Sequence, residues 1–163
     1  MNIEETISQA RELRQNDELE GSQELLLELL AAHPKNPTVL YEVGGAYDVL
    51  EEEKEAIPYY SKAISAGLEG DDLQECYICL GMCYRNTGDF ETAVSILRKA
   101  VEKFPDRNSI KAFLALAEYS DAQEDEAVRI LLDLLISTTK DEDILTFADT
   151  LDFYKDNLDE VWD

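Results

Sequence analysis

The chain has 163 residues, 45% of them apolar, enough for a continuous core, and its 37 acidic against 14 basic residues give a formal net charge of −23. Such a surface repels phosphate backbones and anionic lipid, so neither nucleic acid nor membrane is expected as a partner. Helix formers dominate, only 4 Pro and 7 Gly interrupt them, and no stretch shows the alternation of an all-β domain, so the expected class is all-α.

The opening MNIEETISQARELRQ has neither the basic start nor the apolar run of a secretory signal, and no window reaches the length of a membrane span, so a cytoplasmic location is expected. Two helical stretches flank the polar break RQND (14 to 17), with small residues at Ala10 and Ser22, and His33 in AAHP reads as a solvent-facing helix end. Next comes VGGAYDVLEEEKEAIPYYSKAI (43 to 64), in which Pro58 is expected to kink or shorten the second helix. The glycines and acids of AGLEGDD (66 to 72) suit a lengthened loop. LGMCYRNTGDFETAVSILRKAV (80 to 101) follows, broken at RNTGD, and a further pair of helical stretches carries Ala115 and Ala127. ILTFADTL (144 to 151) reads as a lone capping helix, and the tail DFYKDNLDEVWD holds the only tryptophan.

These elements repeat. The segments 43–64 and 80–101 align without a gap, matching Gly44 to Gly81, Tyr47 to Tyr84, Ala56 to Ala93 and Ala63 to Ala100 at an offset of 37 residues. Steps of 34 residues outward find Ala10, Ser22 and Leu29 before them and Ala115, Ala127 and Leu134 after. About four helical hairpins result, in which small residues let paired helices approach closely. Acids gather where second helices begin, at Glu51 to Glu53, Asp89 and Glu91, and Glu124 to Glu126, complementing the positive end of the helix dipole.

This pattern resembles the tetratricopeptide repeat (TPR) family over nearly the whole chain. The resemblance rests most firmly on Tyr77 to Pro105, with Leu80, Gly81, Tyr84, Gly88, Ala93 and Ala100 in register; Leu13 and Glu118 depart from it where the family favours an aromatic. It implies a single TPR-like domain over 1–163, with repeats at about 3–36, 37–73, 74–107 and 108–140 and a capping helix and tail at 141–163. The implied fold is a right-handed α-solenoid whose first helices line a concave groove for a peptide or protein segment, and members of the family are mostly interaction scaffolds.

All three cysteines stand in ECYICLGMCY as C-x2-C-x3-C. Seven residues of helix rise about 10 Å, whereas zinc–thiolate bonds are about 2.3 Å, so Cys76 and Cys83 cannot share an ion on an intact helix. Neighbouring repeats hold Val39 and Ile110 in the column of Cys76, and Ala46 and Ala117 in that of Cys83, so both read as core residues. Cys79 falls in a variable column with Glu42 and Phe113. A redox or metal role for a Cys76/Cys79 pair is the alternative reading.

By register the groove-facing residues include Ile7, Arg11, Arg14, Gln15, Tyr41, Asp48, Val49, Ile78, Met82, Arg85, Asn86, Ala112, Leu116 and Tyr119. Of these, Arg11, Arg14 and Arg85 are candidates for a partner's carboxylates, Tyr41, Ile78, Met82 and Tyr119 for apolar contact, and Asn86 for a polar one. The competing reading is that the arginines neutralise acids of the protein itself. The chaperone-tail clamp of some family members is not carried over, because its places hold Ile7, Arg11, Glu42, Glu75 and Cys79. With one histidine, no phosphate loop and no H-E-x-x-H, the expectation is a scaffold that binds a protein or peptide, needs no cofactor and catalyses nothing. Self-association through the end hairpins is a further alternative.

Overall fold

The computed structural model describes residues 2–162; Met1 and Asp163 lie outside them. They fall into two compact units that divide between Asp89 and Phe90. The first holds α1 (Ile3–Gln15), α2 (Leu19–Ala32), α3 (Pro37–Asp48), α4 (Glu53–Ser65) and α5 (Gly70–Asn86). The second holds α6 (Phe90–Lys103), α7 (Asn108–Ser120), α8 (Glu124–Thr138), α9 (Glu142–Thr146) and α10 (Ala148–Lys155). All regular structure among the described residues is helical, and no helix among them is long and apolar enough to cross a membrane.

In the first unit α1 packs on α2 and α3 on α4, while α3 also touches α1 and α5, so the first helices of successive hairpins lie side by side. Its core runs through Ile7, Ala10, Leu26, Leu29, Val39, Val43 and Ala46. Small residues do here what the repeat pattern implies: Ala10, Ala56 and Ala63 are wholly buried, and the Ser22 hydroxyl donates to the Ala10 carbonyl at 2.8 Å. A methyl group at Gly44 would stand 2.7 Å from Cδ1 of the buried Tyr60 ring, so α4 can rest on α3 only because that position has no side chain. Ile7 belongs to this core, not to an open groove face.

The repeat is also written in the turns. Asp17, Glu51, Gly88 and Ala122 have φ of 64, 61, 88 and 57°, a left-handed residue at the same place after each first helix. Each turn closes with the same backbone hydrogen bond: Glu18 to Leu13, Glu52 to Tyr47, Asp89 to Tyr84 and Gln123 to Glu118, at 2.9 to 3.0 Å.

Three local expectations change. The residues that lengthen the second repeat do not extend a loop: α5 begins at Gly70, and Asp71 and Asp72 supply its acidic first turn. Leu68 and Leu73, both buried, occupy the two positions that staple a helix start, which favours a helical turn there over slack chain. Pro58 neither ends nor shortens α4, which runs unbroken through it. Pro58 and Lys54 are exposed, so the Lys54 carbonyl left without an amide partner is open to water.

The capping segment is not one helix but two, α9 and α10, because the Phe147 amide donates back three residues to Ile144 and tightens the turn between them. α10 packs on α8 within the second unit, whose core comprises Ala93, Val94, Leu97, Ala100, Ile110, Leu114, Ala115, Ala117, Ala127 and Ile130. Glu118, where the family pattern favours an aromatic, is fully buried and receives the Arg98 Nε at 2.7 Å, while its Oε2 has no hydrogen-bond partner among the described residues.

Candidate functional site

A cavity of about 510 Å³ opens in the first unit. α1 supplies Arg11, Arg14 and Gln15, α3 supplies Tyr41, Glu42, Gly45 and Asp48, Val49 follows, α4 sends in Tyr60, and α5 closes it with Asp72, Glu75 and Cys79. The side-by-side first helices are therefore what create it.

At its base Glu42 is only 3% exposed. Its Oε1 accepts from Arg11 Nε at 2.8 Å and from Arg11 Nη2, and its Oε2 accepts from Arg14 Nη2 at 3.2 Å. The hydrogen bond to Glu42 raises the Arg11 pKa above its already high value. Arg14 lies against the α3 backbone, where a side chain on Gly45 would stand 3.5 Å from Nη1, and its Nε is buried without a partner among the described residues. A buried carboxylate needs such partners, since an unpaired charge in a low dielectric is costly.

Tyrosines and acids form the upper wall. Tyr60 donates its hydroxyl to Asp48 at 2.9 Å and Tyr41 donates to Glu75 at 3.2 Å, with the two rings 6.1 Å apart. Burial pushes both phenols far above their usual range, so they act as donors. Desolvation also raises the pKa of Asp48 and Asp72. Neither carboxylate is in an ion pair among the described residues, so the wall carries negative charge that none of their arginines neutralises by direct contact.

The cavity thus gathers Arg11, Arg14 and Tyr41 of the predicted residues. Ile78, Met82 and Arg85 are half-buried on α5 and do not line it. Asn86 is exposed and donates to Glu53 at 3.3 Å. Tyr119 is 63% exposed and belongs to the second unit. Sequence reasoning passed over Glu42 and Tyr60 as site residues; the available signal for Glu42 was an acid standing 31 residues after Arg11, about one repeat along the same helix layer.

All three cysteines are free thiols. Burial pushes Cys79 up to about 11 and raises Cys76 and Cys83 further, while the Cys76 Sγ donates weakly to the Tyr60 carbonyl at 3.6 Å. Protonated thiols are poor nucleophiles and poor metal ligands. No group of three or more His, Cys, Asp or Glu placed to hold a metal ion occurs among the described residues.

Repeated helical hairpins, with a polar cavity lined chiefly by first helices, define a helical-repeat protein. Residues 37–141 match the model of the tetratrico peptide repeat family. The chain belongs to that family, whose members are mostly interaction scaffolds. Among solved structures it is similar to MamA MSR-1, with 18% identity over 94% of this chain and 78% of that one and a TM-score of 0.68. MamA 41-end from Desulfovibrio magneticus RS-1 gives 15% identity, 94% and 85% coverage and a TM-score of 0.73. A Podosopora anserina protein of kinesin light chain type with nearly identical TPR-like repeats gives 18% identity, 96% and 90% coverage and a TM-score of 0.74. At these identities the likeness is one of fold. No curated protein matches the chain.

Proposed function

We propose that the chain is a non-catalytic protein-interaction scaffold that holds a segment of a partner protein in the first unit's cavity, and that the segment presents a lysine or arginine there. The observation that carries this reading is the convergence of Arg11 and Arg14 on Glu42. Their charge is engaged by the protein's own acid, which disfavours a partner carboxylate. Asp48 and Asp72 remain to meet a cation, and the Tyr41 ring offers a face to its aliphatic stem. The raised thiol pKa of Cys79 favours this reading over the redox one.

Affinity capture from native cell extract tests it, comparing wild type with the double variant Asp48→Asn, Asp72→Asn. Loss of a partner from the variant is the expected result, and unchanged capture of every partner overturns the reading. Acidification adds a check with a definite sign. Because desolvation raises both carboxylate pKa values, their charge is lost as pH falls while still above the ordinary aspartate value of about 4. Binding therefore weakens earlier on acidification than it would with unperturbed aspartates.

A further inference from the structure

The cavity leaves an aromatic cluster in the second unit unexplained. Phe153 and Tyr154 of α10 meet Trp162 in mutual ring contact, with centroids 5.5 Å apart for Phe153 and Tyr154, 6.2 Å for Phe153 and Trp162, and 6.0 Å for Tyr154 and Trp162. Three rings in contact ordinarily sit in a core, yet these are 47%, 39% and 62% exposed, and the neighbouring Val161 is 87% exposed. The intervening chain is tied back: Asn157 donates its side-chain amide to the Phe153 carbonyl at 2.8 Å and its backbone amide to Tyr154 at 3.0 Å.

The surround is acidic. Between residues 149 and 160 stand Asp149, Asp152, Asp156, Asp159 and Glu160 against Lys155 alone, and that ammonium already bonds Asp152 at 3.2 Å and Asp156 at 2.9 Å. A cleft of about 370 Å³ adjoins, lined by Asp125, Asp159 and Glu160, and its Arg129 is held by Glu126 through two hydrogen bonds at 2.6 and 2.8 Å. Asp159 and Glu160 have no ion-pair partner among the described residues.

We infer that this surface docks a basic amphipathic segment of a partner protein, with apolar side chains on the rings and lysine or arginine on the rim and cleft carboxylates. Exposed aromatics that are clustered serve as anchors, and their faces attract cations. Charge selects the occupant: a second copy would bring the same acids against themselves, and anionic lipid would be repelled in the same way.

Trp162 is the only tryptophan and lies within the cluster, so its emission reports the surface directly. The full chain is titrated with a peptide of about 18 residues, leucine at helical spacing and lysine elsewhere. Expected is a saturable blue shift, with affinity reduced about tenfold in Phe153→Ala and about threefold or more in the surface variant Asp159→Asn, Glu160→Gln. Circular dichroism checks the fold of each, and the second variant decides the matter if the first unfolds. The Asp48→Asn, Asp72→Asn protein keeps the full shift, which separates this surface from the first unit's cavity. The inference is overturned by no shift, by an equal shift from the peptide with glutamate in place of lysine, or by loss of the shift in the cavity variant. A shift produced by protein concentration alone with a dimer in light scattering, or by anionic vesicles and not by the peptide, overturns it too.

Discussion

In the first unit Val49 is the one large apolar side chain that stands exposed among the described residues; the second unit exposes thirteen, from Phe90 to Trp162. The buried acids differ in the same sense. Glu42 has both oxygens bonded by two arginines, whereas Glu118 has one arginine and an oxygen without a partner. The same hairpin thus yields two kinds of surface. One unit buries its apolar residues and keeps a polar, charged cavity between first helices; the other leaves apolar and aromatic side chains exposed.

The first unit's completeness depends on Tyr60, and removing it is the largest change expected. Its ring is 1% exposed, fills the space above Gly44 and bonds Asp48. Tyr60→Ala destabilises by about 3–5 kcal/mol in urea denaturation followed by circular dichroism. Gly44→Ala is destabilising in the wild type and far less so beside Tyr60→Leu, because the ring carbons it would strike are gone. Equal costs in both backgrounds would mean that Gly44 is not there for the ring.

Glu42→Met against Glu118→Met tests the contrast between the buried acids. The first leaves Arg14, 25% exposed, without its anion, and costs about 2–3 kcal/mol, below the cost of breaking a fully buried pair because Arg11 is half exposed. The second removes an unpartnered buried oxygen and frees Arg98, which is 56% exposed, to water, so stability changes by less than about 1 kcal/mol or rises. Equal losses at the two positions would abolish the distinction drawn between the units.

Much of the hairpin architecture was legible because it is local. Ala10, Gly44, Ala56, Gly81, Ala93, Ala115 and Ala127 fall in small-residue columns and are all buried, since two helix backbones can approach only where side chains are short. Cys76 and Cys83 likewise sit in the core their columns assign. The site was less legible. An acid in a chain of charge −23 reads as surface, and nothing local marks Glu42 as the buried partner of arginines 31 and 28 residues earlier. The fate of AGLEGDD (66–72) depended on Leu68 and Leu73 both finding the core, which its composition does not declare.

The smallest effect concerns the turns, where the two units meet one backbone demand with different residues. The left-handed place after the first helix holds Asp17, Glu51 and Gly88 in the first unit and Ala122 in the second. A Cβ in that conformation crowds the following carbonyl at a cost of roughly 1–2 kcal/mol, which glycine avoids while giving back part of the gain as unfolded-chain entropy. Ala122→Gly is therefore stabilising, by about 0.5–1 kcal/mol, with the Gln123 to Glu118 hydrogen bond retained. Trp162 emission follows the unfolding of the second unit, so its urea midpoint rises in Ala122→Gly, and Gly88→Ala loses stability by a comparable amount in circular dichroism. A fall in the Ala122→Gly midpoint would show that the residue's side chain, not its backbone angle, governs this turn.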